Sequence, residues 1–255
     1  MPDAAKRALG AQRSPKRGFP VPFSLHLQNV ADPVPETFDT LIAYFLLVNK
    51  VVQTSAVEVL PGTTVGVRVA DGVVLAAEKR VSYGLYLMSK SGKKVYRILD
   101  RMGLASAGLM ADMQTLARIV EAEMRIYELD AGIAPSVWTA AKLLSYVLYE
   151  RRLFPYYAEL IVGGIDETGS HLYSLDPIGA IIEDDYVALG SGTQLAISII
   201  ESNYSSSMSV EDAEKLAIRA VEAAMKRDAA SGDGIDVLTI SSKGTSEKSL
   251  AWPLH

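Results

Sequence analysis

The stretch Gly62-Thr63-Thr64-Val65-Gly66-Val67-Arg68-Val69-Ala70-Asp71-Gly72-Val73-Val74-Leu75-Ala76-Ala77-Glu78-Lys79-Arg80 decides how this chain is read. Val65, Val67 and Val69 alternate, which is the period of a strand with one buried face, and Val73, Val74 and Leu75 crowd a second strand. Asp71-Gly72 between them predicts a type I′ hairpin turn, because that turn needs positive φ at both central residues. Polar residues frame the hairpin: Thr63 and Thr64 open it, and Glu78 and Arg80 close its second strand.

Working upstream, the character changes. Residues 1–35 are rich in Lys, Arg, Pro and Ala and show no period. Lys6, Arg7, Arg13, Lys16 and Arg17 form a loose basic run with no interleaved aromatics, the composition of a solvated tail rather than a nucleic-acid surface. Residues 38–52 have the apolar content of a helix but no evident partner surface, so residues 1–62 read together as a removable leader.

Downstream, residues 63–241 read as one domain. Short strands are expected at Leu85–Met88 and Lys94–Ile98, around a loop from Ser89 to Lys93, and a small-residue strand at Gly103–Gly108. A helix follows, with Met113, Leu116, Ala117, Val120, Met124 and Tyr127 on one face. A second begins after Pro135, with Val137, Ala140, Ala141, Leu144, Val147 and Leu148 buried. Strands return at Tyr157–Ile165, His171–Leu175 and, as a third in the same group, Tyr186–Leu189. Gly190-Ser191-Gly192 opens the next helix, and Ser209-Val210-Glu211-Asp212 caps the last long one. A final strand spans Ile235–Ser241, and residues 242–255 read as a polar tail. Blocks of strands alternating with helix pairs indicate an α+β fold, two sheets face to face with helices outside.

Composition narrows the chemistry. Of 255 residues, 49% are apolar and 22% charged, with a formal charge of −5, which argues against nucleic-acid or acidic-membrane partners. There is no cysteine, so a thiol nucleophile, a disulfide framework and a cysteine zinc site are excluded. His26, His171 and His255 are scattered, which disfavours a histidine metal cluster or a Ser-His-Asp triad. No apolar run reaches the ~18 residues of a membrane span, and the default location is the cytoplasm.

The hairpin, followed by Lys90-Ser91-Gly92-Lys93-Lys94, resembles the amino-terminal signature of proteasome β subunits. The resemblance continues in order through Ala107-Gly108-Leu109, Val162-Gly163-Gly164-Ile165-Asp166, Gly190-Ser191-Gly192 and Arg227-Asp228-Ala229-Ala230-Ser231-Gly232. It is strongest with the archaeal 20S form, especially the second β type of crenarchaea. It implies the four-layer αββα sandwich of amino-terminal nucleophile hydrolases and a threonine-type endopeptidase without metal or organic cofactor. Expected partners are α and β subunits in stacked seven-membered rings, a regulatory ATPase acting through the α ring, and unfolded polypeptide as substrate.

The resemblance also implies roles. Autocatalytic cleavage between Gly62 and Thr63 frees Thr63 as nucleophile, with its own α-amine as base. Lys94 keeps that amine neutral, Glu78 holds Lys94, and the Gly108 N–H faces the developing oxyanion. Ser191, Asp228 and Ser231 orient the amine and a water, while Val81, Tyr96, Ser106 and Met110 line an apolar substrate pocket. One departure stands against this. Counting back from Lys94 at the family's spacing lands on Gly62, one residue before Thr63, and a one-residue slip in a strand reverses side-chain direction. Two readings therefore stand: a threonine peptidase, and a catalytically silent β subunit that builds mixed rings around an active sister.

Overall fold

The periodicities resolve into two five-stranded antiparallel sheets stacked face to face in the computed structural model of the chain, which describes residues 60–252 apart from residue 85. The expected leader up to residue 59, with its expected helix over 38–52, lies outside the described residues. Strands β1 (Thr64–Val69), β2 (Gly72–Glu78), β3 (Val81–Tyr83), β4 (Tyr86–Ser89), β5 (Val95–Leu99) and β6 (Met102–Gly108) come first, then helices α1 (Met110–Ala131) and α2 (Val137–Glu150). The chain returns through β7 (Ala158–Asp166), β8 (Gly169–Leu175), β9 (Ile181–Glu183) and β10 (Tyr186–Leu189). It ends with α3 (Thr193–Asn203), α4 (Val210–Met225), β11 (Ile235–Ser241) and β12 (Gly244–Leu250). One sheet runs β10-β1-β2-β11-β12 and the other β5-β6-β7-β8-β9.

Three apolar clusters hold four layers together. Val73, Leu75, Ala105, Ile161, Leu172 and Leu238 fill the space between the sheets. Met113, Leu116, Leu144 and Leu148 press α1 and α2 onto the outer face of the second sheet. Leu216, Ala217, Ala220 and Val221 press α4, with Ala196 and Ile200 of α3, onto the outer face of the first. This is the αββα sandwich. The helix faces match their sequence periods with two exceptions: Tyr127 is exposed, so the buried stripe of α1 stops at Met124, and Val147 on α2 is only partly buried. Pro135 precedes the cap of α2 rather than entering its first turn; Ser136 caps it by accepting from the Thr139 N–H at 3.1 Å. Ser209 caps α4 in the same way, from Asp212 N–H at 3.1 Å. Ser209→Ala is expected to cost about 1 kcal/mol in urea unfolding, the usual loss of such a cap.

Four expectations are corrected. The β1–β2 turn is centred on Ala70-Asp71, with Val69 paired to Gly72, and no residue in it has positive φ. Gly72 instead belongs to β2, where a Cβ would stand 2.3 Å from the Ile240 carbonyl oxygen of the neighbouring strand, so close strand approach explains the glycine. β4 pairs with β3, not with β5. β10 pairs with β1 in the first sheet rather than joining β7 and β8. Residues 244–250 are no tail: β12 pairs with β11 along its whole length, from Ser241–Gly244 to Ile235–Leu250. Its side chains are mostly exposed, so it carries no alternating apolar signal.

Asp166, at the end of β7, ties two elements together. Its carboxylate accepts from the Val137 N–H at 3.0 Å, which starts α2, and from the Thr168 N–H at 2.9 Å and hydroxyl at 2.6 Å. Burial pushes this carboxyl up, but the Thr168 and Val137 hydrogen bonds and His171 outweigh it and hold the group below the ordinary aspartate value. A lowered folded pKa gives stability that is present above the unfolded value and lost as pH falls through the folded one. Asp166→Ala should therefore lower the urea midpoint near neutral pH, and the gap to wild type should close below about pH 4.

Candidate active site

The sheet orders bring five segments together. In the first sheet, Thr64 lies opposite Ala77 and Glu78 opposite Ile235, so the start of β1, the end of β2 and the loop before β11 are adjacent. From the second sheet, Lys94 just before β5 and Gly108 at the end of β6 reach the same place, and the Gly190-Ser191-Gly192 turn closes it.

Glu78 is the hub. It is fully buried, with Oε2 accepting from the Arg80 N–H at 2.6 Å and the Gly232 N–H at 3.1 Å. Its Oε1 accepts from the Thr63 N–H at 3.3 Å and from the Lys94 ammonium. Lys94 is 3% exposed and forms its ion pair inside the protein. Burial pushes the Glu78 carboxyl up, while the Lys94 charge and the hydrogen bonds from Lys94, Gly232 and Arg80 pull it down. A second polar group lies alongside. Asp228 accepts from Ser191 Oγ at 2.6 Å and from Ser231 Oγ, and its Oδ1 accepts from the Ala230 N–H at 3.1 Å.

These groups converge on Gly62. Its N–H donates to Ser191 Oγ at 3.1 Å, and its carbonyl accepts from the Gly192 N–H at 3.4 Å. A Cβ on residue 62 would stand 2.7 Å from Glu78 Oε1 and 2.8 Å from Lys94 Nζ. The Gly108 N–H donates to the Pro61 carbonyl at 3.2 Å. The peptide bond offered to that donor is therefore Pro61–Gly62, where Gly62–Thr63 was expected. Thr63 lies one step further along, past Gly62 at φ +104°, and its side chain goes elsewhere. It is fully buried, and its Oγ1 sits 2.6 Å from Ser231 Oγ, not on Lys94. A Cβ on Gly192 would meet that Oγ1 at 2.0 Å, which fixes how tightly the hydroxyl is enclosed.

A cavity of about 340 Å³ opens beside Lys94 and Gly108. Of the four residues expected to line it, Val81 and Met110 do, joined by Tyr83, Met88 and Arg80. Tyr96 and Ser106 do not. Tyr96 lines a separate cleft with Arg97 and Arg118, and its hydroxyl, pushed up to about 12 by burial, donates to the Lys93 carbonyl. Ser106 is buried behind Lys94, where its hydroxyl donates to the Lys94 carbonyl at 3.3 Å. Two supporting groups were not legible in advance. Glu159 on β7 accepts from the Gly190 N–H at 3.1 Å and steadies the 190–192 turn, and burial pushes its carboxyl up. Asp233, at φ 68°, holds the Arg80 Nε at 2.7 Å. A charge at the centre of the apolar run Ala158-Glu159-Leu160-Ile161 was the available signal for the first. Among the described residues no group of three His, Asp or Glu could hold a metal ion.

Of the residues named by the resemblance, Glu78 and Lys94 pair, Ser191 and Ser231 share Asp228, and Gly108 donates to Pro61, while the Thr63 hydroxyl meets Ser231 and not Lys94. A family model described as "Proteasome subunit" matches residues 59–240, well over half the chain. The chain belongs to the proteasome family, as an archaeal 20S β subunit. "Proteasome subunit beta 2" of Thermofilum pendens is 82% identical over 191 residues, covering 75% of this chain and 94% of that protein. "Proteasome subunit beta 2" of Caldivirga maquilingensis is 54% identical over 193 residues, covering 76% and 96%. "Proteasome subunit beta 1" of Hyperthermus butylicus is 53% identical over 179 residues, covering 70% and 88%. The β subunit is thus a member of a protease family, and no helix among its described residues is long and apolar enough to cross a membrane.

Proposed function

We propose that this β subunit enters the 20S core without being cut at the Gly62–Thr63 junction and builds mixed rings rather than hydrolysing peptides itself. One observation carries the reading. Gly62, which has no hydroxyl, occupies the point on which Lys94, Glu78, Ser191 and the Gly108 donor converge. Nothing there can attack the Pro61 carbonyl, so the leader stays attached, and without a cut there is no free α-amine to act as base. The expected partners follow from the family: α subunits, an active sister β subunit, a regulatory ATPase reached through the α ring, and unfolded polypeptide drawn to the sister's site in the cytoplasm.

A second reading keeps Thr63 as nucleophile, and one contact favours it. The Thr63 N–H already donates to Glu78 Oε1 at 3.3 Å, so a cut before Thr63 would leave its new amine beside Glu78 and Lys94. Co-expression with the α subunit and a sister β subunit whose own nucleophile is replaced separates the two. The silent reading expects an intact mass that retains Gly62 and residues before it, and no peptide hydrolysis. A mature chain beginning at Thr63, with hydrolysis that vanishes in Thr63→Ala, overturns it in favour of the peptidase.

A further inference from the structure

We infer that His171 is held as an imidazolium between two carboxylates and acts as a proton-dependent clamp on the end of the sandwich away from Gly62. The clamp does not depend on whether the chain cuts peptides. It gathers around the β7–β8 hairpin. The Ser170 hydroxyl donates to the Val69 carbonyl at 2.6 Å, which places this hairpin at the far end of β1 from Gly62. His171 Nδ1 lies 2.9 Å from Glu183 Oε1 on β9. Its Nε2 lies 2.7 Å from Thr168 Oγ1 and 3.5 Å from Asp166 Oδ1.

The number of protons available fixes the charge. A threonine hydroxyl has one proton to give. That of Thr168 goes to Asp166 Oδ1 at 2.6 Å. Asp166 offers none in return, because it is held below the ordinary aspartate value and accepts from the Val137 N–H as well. Nε2 must therefore donate to the Thr168 oxygen. At the other nitrogen, an ionised Glu183 can only accept, so Nδ1 must donate too. A proton shared between Nδ1 and Oε1 belongs on the imidazole, the stronger base in model peptides at about 6.5 against about 4.3. Two donating nitrogens make an imidazolium.

The surrounding charges favour that cation. Asp166 faces it from β7 and Glu183 from β9. Behind Glu183 stands the Arg68 guanidinium of β1, 3.6 Å from the same Oε1, and Asp185 pairs with Arg68 and blunts its repulsion. On β8 itself the Tyr173 ring stacks parallel to the imidazole, centroids 6.0 Å apart, with its hydroxyl 3.4 Å from Nδ1. Burial and Glu183 push that hydroxyl up to about 12, so it stays neutral. Each partner carries an element. Asp166 receives the N–H that starts α2, Glu183 ends the three-residue edge strand β9, and Arg68 belongs to the other sheet. Loss of the proton turns one ring nitrogen into a lone pair. It then faces either the Glu183 carboxylate or the Thr168 oxygen, whose own proton is committed, and the contact becomes repulsive. A proton that the folded chain holds and the unfolded chain releases adds stability that is present at low pH and lost as the imidazolium gives it up.

Two measurements on the full chain test this. The first is the imidazole ¹⁵N spectrum at pH 7 with histidine alone labelled, the His171 signals being those that His171→Gln removes. Both His171 nitrogens are expected at the shift of a protonated ring nitrogen. One nitrogen at the shift of a bare lone pair overturns the imidazolium, and this readout needs no variant that alters the clamp in the sample observed. The second is urea unfolding between pH 5.5 and pH 9. The unfolding constant of His171→Gln should exceed that of wild type by about tenfold near pH 5.5 and by at most about threefold at pH 9. Thr168→Ser keeps the hydroxyl and should keep the wild-type pH profile. Thr168→Val removes the acceptor that demands the second ring proton, so its profile should flatten. A His171→Gln gap that stays constant from pH 5.5 to pH 9, or Thr168→Val and Thr168→Ser profiles that coincide, would leave His171 a packing residue and overturn the clamp.

Discussion

Glu78→Ala should destabilise the chain by about 3–5 kcal/mol, the loss seen when one member of a buried ion pair is removed. Two consequences add. Lys94, 3% exposed, is left with no second acceptor among the described residues. The N–H groups of Thr63, Arg80 and Gly232 also lose their common acceptor. Lys94→Met should cost less, because the carboxyl keeps three backbone donors and its burial already favours the protonated form. Urea midpoints at unchanged slope check the order. A Glu78→Ala loss under about 1 kcal/mol would show that Lys94 finds solvent when its partner is gone.

The second large effect lies between the sheets. A Cβ on Gly103 would stand 2.2 Å from Leu238 Cδ2 and 3.1 Å from Leu75 Cδ1. Both leucines are fully or almost fully buried, so neither has room to withdraw. Gly103 does not have positive φ, and its substitution tests volume alone. Gly103→Ala should cost about 1–3 kcal/mol and Gly103→Val more, as overpacking does in a filled core. Adding Leu238→Ala should return part of the Gly103→Ala loss, because the new methyl occupies space the leucine vacates. The double-mutant cycle reads this as a coupling, and strict additivity would refute the proposed clash.

The layers of the fold were legible because burial writes itself into helical periods. Leu216, Ala217, Ala220 and Val221 repeat at the spacing of one helix face, and that face is the buried one. Strand partners were less legible. Tyr186–Leu189 has the same apolar look whichever sheet receives it, and only the closed sandwich sends it to β1. Asp71-Gly72 gave a strong turn signal, yet the glycine answers a crowding neighbour strand rather than a turn torsion. In the site, only the family resemblance identified Glu78, Lys94, Gly108, Ser191, Asp228 and Ser231 as a group, and the structure brings them close. Which residue they surround was not a matter of type. Gly62 and Thr63 are adjacent, and the backbone between them, with Gly62 at φ +104°, decides that a Cβ at 62 faces Lys94 while the Thr63 hydroxyl faces Ser231.

The Glu78 carboxylate has a consequence for how the chain folds. Its acceptor positions join Thr63, 15 residues before it, with Lys94, 16 after it, and Gly232, 154 after it. The first two contacts close short loops. The third waits until both helix pairs have been made and the chain has come back to lay β11 beside β2. Contacts between residues so far apart bring a loop-closure cost that nearby contacts avoid, so they consolidate late. A ribosome-bound chain stopped short of residue 232 would hold a carboxylate missing one of its donors in a half-built sandwich. The charge pair at the centre of the site therefore reports on the completeness of the whole domain, and only a fully returned chain seals it from water.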